Sequence, residues 1–362
     1  MIDMINLLGA VQGLILAGAI FSIRGGHKAA NRVLGVIVII CVITICDAVL
    51  YRTRYIFSVL PLAEVLPVFA FLIGPLLYRY TKILTSEADP FRWKDLLHLL
   101  PFIAVVLFRL PFFLEDAAFK TDYLQALYQT YPPELYLLAG GVRLQILFYL
   151  IISMRLLIRH SQEIKHLFSS LDDISLNWLR NIWIIVAVFL IASFIRIIFD
   201  YRIDTIALDP LLFSLAIYVM SFSGLRQPKI FSGENKPTQP AKYAKSTLKA
   251  KDAEKQVPEL LHAMENQKLF LQKDITLQSL AAELDMPGHH LSQIINEKLD
   301  KNFFDLINFY RIEESKKLLK DSNYDHYSLE AIGKEAGFKA KSTFNTVFKK
   351  FTEMTPSEYR NS

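Results

Sequence analysis

Cysteine is nearly absent from this 362-residue chain, which has only Cys41 and Cys46. They lie five positions apart in an apolar run, so on a helix they project roughly 140° apart and cannot bridge each other. A disulfide framework is therefore excluded. Signatures of catalysis are missing as well: the chain contains no HExxH, no GxSxG and no phosphate-cradling glycine loop, so nothing in it spells a reaction. Basic residues are absent from Met1 to Ile23, where Asp3 precedes a long apolar stretch, and Arg24, Lys28 and Arg32 come only afterwards. That order is the reverse of a cleavable signal peptide, and the first helix is expected to be retained.

What is present divides sharply near residue 225. The mean hydropathy of +0.29 and 52% hydrophobic content are high for a water-soluble protein. The excess belongs to the first part, a succession of apolar runs, while the remainder is lysine-rich and punctuated like a globular domain. Seven stretches reach the ~20 apolar residues that a bilayer crossing needs: 5–23, 33–50, 60–78, 96–113, 135–157, 181–199 and 206–222. One alternating set of loops holds eleven basic residues and the other only four, with Glu115, Asp116, Asp122, Glu134 and Asp204 beside them. Short cytoplasmic loops carry the Lys and Arg excess, so the second set is expected outside. The N-terminus is then outside, and residues from 226 onward are cytoplasmic.

Ionisable side chains inside such spans are costly, about 2.5 to 3.5 kcal/mol each at the helix centre on insertion scales. Asp47, Glu64, Arg109, Arg143, Arg196 and Asp200 all fall in the outer halves of their expected helices. Three acids and three arginines on one level suggest either mutual ion pairs with snorkelling, the plainer reading, or an outward-facing polar pocket that senses a small ligand.

From Ser223 to Lys251 the chain reads "SGLRQPKIFSGENKPTQPAKYAKSTLKAK", whose three prolines and many lysines give it a linker composition. Residues 253–266 then show an amphipathic stripe of Val257, Leu260, Leu261 and Met264. Thr276 stands where it caps a second helix. In "LAAELDMPGHHLSQIINEKL", residues 280–299, two short apolar-periodic segments flank Pro287 and Gly288. Proline suits the first position of a new helix, and two short helices across a tight turn make a helix-turn-helix. The pattern recurs after a long expected helix, Phe303 to Lys320, in "SLEAIGKEAGFKAKSTFNTVFKKF". There Leu329, Ile332 and Ala336 form one stripe, Gly337 makes the turn, and Phe344, Val347, Phe348 and Phe351 form the next. No acid occurs among residues 339–350, which include Lys339, Lys341, Lys349 and Lys350. A solvated surface face is the plain alternative for that lysine stripe.

The tandem, closing on "GFKAKSTFNTVFKKFTEMTPSEYR", resembles the DNA-binding domain of the AraC/XylS family of transcription regulators over residues from about 277 to 360. With apolar spans ahead of it, the whole chain is similar to the membrane-bound regulators of that family. The resemblance implies two helix-turn-helix units joined by the long helix, with recognition helices about one DNA turn apart reading adjacent major-groove segments. It places His289 and Gln293 of the first unit, and Lys341, Ser342 and Thr346 of the second, against bases, with Asn345 as a neighbour. Gln pairs with adenine, Lys with guanine, and Ser or Thr with several edges, while Lys349 and Lys350 suit phosphate. His289 and His290 diverge by about 100° on a helix with no Cys or third His close in sequence, so no metal and no cofactor is expected. The chain departs from the family at Asp300 and Glu353, where glycine is common, and at Ala340, where a capping serine is usual. From 231 to 362 there are 20 basic and 19 acidic residues, a net of +1, so basicity is local to the second unit.

The expected architecture is all-α: a seven-span sensor-like region at 1–225, a cytoplasmic linker at 226–251 and a double helix-turn-helix domain at 252–362. The expected function is membrane-anchored, sequence-specific transcription regulation in the bacterial inner membrane, coupling an extracytoplasmic or membrane signal to promoter occupancy. Its partners would be double-stranded DNA, membrane lipid, an unknown small-molecule or membrane signal, a second copy of the chain in a homodimer, and RNA polymerase for an activator. Two other readings stand beside it: a non-enzymatic tether for a constitutive DNA binder, and a transporter or membrane enzyme whose cytoplasmic domain binds a protein.

Overall fold

The computed structural model of the chain describes residues 2–23, 28–86, 91–130, 132–172, 174–198, 210–211, 213–219 and 250–362. Among these residues there are helices and turns and no named strand. The chain divides into two compact units, Met1–Ile158 with Leu176–Glu234, and Arg159–Ser175 with Asn235–Ser362.

In the first unit, helices α1 (Ile2–Ser22) and α2 (Lys28–Arg52) pack as an antiparallel hairpin, with Asp3 at the start of one paired to Arg52 at the end of the other at 2.9 Å. Small residues permit the close approach: a Cβ on Gly13 would lie 2.5 Å from Val42 Cγ2, and one on Gly9 2.5 Å from Ser214 Oγ. The third apolar stretch is not the single helix that 60–78 suggests. It is made of 3-10 turns at Leu60–Leu62 and Leu66–Leu72 and only then of α3 (Ile73–Thr85). Pro61 and Pro67 lack the amide hydrogens that an unbroken α-helix needs, and Glu64 between them has a φ of 60°. The fourth likewise opens as a 3-10 turn, Trp93–Leu99, before α4 (Leu100–Leu114).

The expected outer loop at 114–134 contains a further helix, α5 (Ala117–Gln129), capped where Asp116 accepts from the Phe119 amide at 2.8 Å. Then come α6 (Pro133–Glu163) and α7 (Asn177–Ile198). Six helical stretches among the described residues are long and apolar enough to cross a membrane. The seventh expected span, 206–222, lies only partly among the described residues, where Ser214 and Ile217 pack on α1. The expected linker lies almost entirely outside them. Many apolar side chains of this unit are exposed, among them Leu14, Ile15, Leu107, Leu137 and Val188.

The second unit holds α8 (Ala250–Glu265), a 3-10 turn at Leu269–Leu271, α9 (Leu277–Glu283), α10 (Gly288–Lys298), α11 (Phe303–Lys320), α12 (Leu329–Glu335), α13 (Lys341–Thr352) and α14 (Pro356–Asn361). Local chemistry fixes most of these starts. The side chains of Thr276, Asn302, Ser328 and Thr355 each accept an amide hydrogen of the first turn that follows, satisfying donors that a helix otherwise leaves orphaned. Pro287 precedes α10 as its cap residue, with extended backbone, and does not occupy the first helical position. Two apolar cores lie along α11: one around Leu260, Leu280, Ile294 and Ile307, the other around Ile312, Ile332, Phe344 and Phe348.

Asp300 and Glu353 follow α10 and α13 with φ of 50° and 63°, and Ala340 precedes α13 without a side-chain cap. These are the three positions where the chain departs from its family resemblance. A left-handed non-glycine residue costs roughly 1 to 2 kcal/mol. Asp300→Gly and Glu353→Gly are therefore each expected to stabilise this unit by about 1 kcal/mol, after the greater freedom of an unfolded glycine is discounted. Slower amide hydrogen exchange across residues 277–362 of the full chain checks this.

Candidate nucleic-acid interface and outer polar cluster

Two short helices, α10 and α13, present the faces that their units do not bury. On α13 the apolar side is Phe344, Val347 and Phe348, all buried, while Lys341, Ser342, Asn345, Thr346, Lys349 and Lys350 are exposed. That separation follows from spacing alone, because positions three and four apart share a face of a helix. Lys350 is ion-paired to Asp305 at the start of α11, and Lys339, just ahead of α13, to Asp274, each at 2.7 Å. On α10 the buried side is Leu291, Ile294 and Ile295. Gln293 is half-buried and donates to Glu297 at 3.0 Å. His289 is half-buried, its ring 4.3 Å from that of His290. Burial, and then the neighbouring His289, push the His290 pKa below its ordinary value. Gly288 opens α10 against α9, where an added Cβ would come within 3.1 Å of Gln278 Oε1.

What joins the two helix-turn-helix units is a group that apolar periodicity passes over. Arg311, in the middle of α11, is 1% exposed. Its Nε donates to the carbonyl of Phe270 at 2.8 Å, and one terminal nitrogen donates to the carbonyl of Gln272 at 2.7 Å. The guanidinium also lies 5.8 Å from the Phe338 ring of the second unit. Burial lowers its pKa to about 10, far enough above neutrality that the charge is kept. Gly337, the turn glycine between α12 and α13, has a φ of 91°, and a Cβ there would lie 2.9 Å from the Phe270 carbonyl oxygen. The 270–273 backbone is thus held from one side by Arg311 and abutted from the other by the second unit's turn. A sequence signal existed: Phe303, Ile307, Arg311 and Ser315 recur every fourth residue, which puts an arginine on a buried stripe.

Of the four outer-half charges whose side chains are described, Asp47, Glu64 and Arg109 lie near enough to interact, and Arg143 has other partners. Glu64 and Arg109 form a buried ion pair at 3.1 Å. Glu64 Oε1 accepts from the Tyr51 hydroxyl at 3.0 Å, and the same hydroxyl oxygen accepts from the Glu64 amide at 3.1 Å. The Arg109 guanidinium stacks 4.8 Å from the Phe112 ring. Arg143 lies apart from them, on α6, donating to Ser193 Oγ of α7 at 2.9 Å and to its own helix at Ala139. Asp47 is half-buried on α2. The side chain of Arg196, and Asp200 altogether, lie outside the described residues. Among the described residues no cluster of three or more metal-ligating side chains occurs.

Against known proteins, residues 280–362 match the family model described as a helix-turn-helix domain. An uncharacterized HTH-type transcriptional regulator of Staphylococcus aureus (strain COL) is 32% identical over 92 residues, 25% of this chain and 12% of that protein. The transcriptional regulatory protein HptR of Staphylococcus aureus (strain NCTC 8325 / PS 47) is 31% identical over 88 residues, 24% of this chain and 33% of that protein. Among solved structures, the C-terminal domain of AraT, a response regulator from Geobacillus stearothermophilus, is 32% identical. That match covers 26% of this chain and 76% of that one, with a TM-score of 0.24. The chain therefore spans between an eighth and a third of the length of these curated relatives. Residues 280–362 are a helix-turn-helix domain of the AraC type.

Replacing Arg311 by Lys is expected to destabilise the domain by about 3 kcal/mol. A single ammonium cannot reproduce the diverging fork, and buried carbonyls lose their partners. Urea-induced change in tyrosine fluorescence of the detergent-solubilised chain checks this, with Lys316→Arg on the exposed side of the same helix unchanged.

Proposed function

We propose that the chain is a membrane-anchored, sequence-specific DNA-binding transcription regulator, in which a signal at the outer half of the apolar bundle alters promoter occupancy. The observation that carries this reading is the pair of helices α10 and α13, whose polar faces are left for a partner by a scaffold clamped through Arg311. Double-stranded DNA fits those faces. An α-helix enters the major groove, Gln and Lys read base edges there, and Lys349 and Lys350 reach phosphate. The Lys350 pair with Asp305 is only a small obstacle, because exposed ion pairs contribute about 0 to 1 kcal/mol.

Anchoring in the bacterial cytoplasmic (inner) membrane, with the N-terminus outside, is supported by six apolar helical stretches with exposed Leu, Ile and Phe faces, and by the loop charge asymmetry. It is also supported by the packing of residues 159–175, a connection on the basic side, within the same compact unit as the helix-turn-helix domain. Both then belong to the compartment that holds the chromosome. Membrane lipid, an extracytoplasmic or membrane signal, homodimerisation and, for an activator, RNA polymerase complete the proposed partners. The buried Glu64–Arg109 pair is read as a structural element of the bundle that a signal would have to disturb. A ligand shifts such a bundle only if it binds two states of it unequally.

Full chain in lipid nanodiscs, titrated with DNA duplexes selected from a random pool, tests this. Gln293→Ala and Lys341→Ala are each expected to lose about 1 to 3 kcal/mol of discrimination at one base position. Lys349→Ala is expected to weaken all duplexes alike and to lower the slope of log affinity against log salt by about 1. Equal binding to every sequence, unchanged by Gln293→Ala and Lys341→Ala, overturns specific readout. A reporter fused after Ser362 that is active only outside the cytoplasm overturns the anchoring.

A further inference from the structure

The connection between α6 and α7 is built into the helix-turn-helix domain as an extended strap. Leu167 is buried in the first core, and its carbonyl accepts from the Leu277 amide at 2.9 Å. Phe168 and Thr276 form an isolated antiparallel bridge. Ser169, 1% exposed, donates through Oγ to the Ile275 carbonyl at 2.6 Å, and its own carbonyl accepts from Asn308 at 3.3 Å and Arg311 at 3.5 Å. Leu171 packs against the second core. At the far end Asp172 accepts a hydrogen bond from the Thr343 hydroxyl, in the first turn of α13.

This surface takes an extended peptide mainly through its backbone, as a strand-addition groove does, and it touches both helix-turn-helix units. From these contacts we infer that residues 167–172 are an intramolecular ligand of the domain which, when docked, opposes DNA. Asp172 sets a carboxylate at the start of α13, where Ala340 supplies no side-chain cap. Helix N-termini favour a negative group, and this same end is the one that a recognition helix turns towards bases and backbone. A carboxylate and a DNA phosphate cannot share that place. The strap also leads straight out of α6 and into α7, which Arg143 and Ser193 join to each other. The inference rests on the proposed DNA-binding reading.

The test uses full chain in nanodiscs with Cys41→Ala and Cys46→Ala, carrying Phe168→Cys and Thr276→Cys. Bridged antiparallel residues lie at a separation that a disulfide spans. Mild oxidation should close the link, and the oxidised protein should bind a mixed-sequence duplex roughly 10-fold more weakly than the same sample after reduction. Separately, Asp172→Asn should bind that duplex about 3-fold more tightly than the unaltered chain, with a matching gain at low salt. Failure of the cysteines to link while the duplex is still bound overturns this inference alone. So does linking with no change in affinity, or an unchanged affinity in Asp172→Asn. Linking in a chain that binds no duplex in any form overturns the DNA-binding reading, and with it the opposition between strap and DNA.

Discussion

Arg311 sits where the two cores of the C-terminal unit meet, and the carbonyls it serves belong to a turn, 270–273, that has no ladder of its own. An apolar residue of similar volume would pack there and leave those carbonyls without a donor, at about 1 to 3 kcal/mol each. Lysine offers a single point of charge. Only a planar fork reaches several diverging oxygens at once. The cost of burying the cation is visible in its lowered pKa, yet at about 10 it still carries its charge at neutral pH. One side chain thereby positions the segment that leads into α9, while Gly337 lets the turn between α12 and α13 come against the same segment. The relation between α10 and α13 depends on that meeting.

The first unit presents a different surface. Among the described residues, large exposed apolar side chains are few in the C-terminal unit, whereas along α1, α4, α6 and α7 leucine, isoleucine, valine and phenylalanine are exposed in number. Polar groups buried in such a unit have to find each other. Tyr51, Glu64 and Arg109 do so, using a left-handed backbone at Glu64 that lets its amide and its carboxylate both meet the Tyr51 hydroxyl. Removing one member of such a group leaves the other buried and unpaired, which is costlier than the pair's own net contribution. The prolines that break the third apolar stretch into 3-10 turns stand on either side of Glu64 and expose the backbone that makes this arrangement possible.

Much of the C-terminal architecture was legible because it is local. Thr276 caps α9, the apolar stripes of α10 and α13 fall on their buried faces, and Asp300, Ala340 and Glu353 mark the helix ends that lack their best residue. Helix α10 begins one residue later than its proline suggests, because Pro287 has extended backbone and stands as the cap residue. Apolar content alone does not distinguish α-helix from 3-10 turn between residues 60 and 72, because nearly every position there is apolar and no period stands out. Helix α5 escaped notice because its apolar stripe is weak. Arg311 and the strap at 167–172 escaped for a deeper reason. Their partners lie about 40 to 170 positions away in sequence, and no periodicity reports a hydrogen bond between distant backbones.

The charge of the C-terminal part then takes on a physical meaning. With 20 basic and 19 acidic residues from 231 to 362, several lysines near the candidate interface already have acidic partners: Lys350 has Asp305 and Lys339 has Asp274. A duplex docking on α13 exchanges those carboxylates for phosphates, so part of the Coulombic attraction is cancelled by pairs that must open. Non-specific affinity, which is nearly all phosphate attraction, suffers most from that exchange, while contacts to base edges are affected least. A domain balanced in this way gives up strength of binding and retains discrimination.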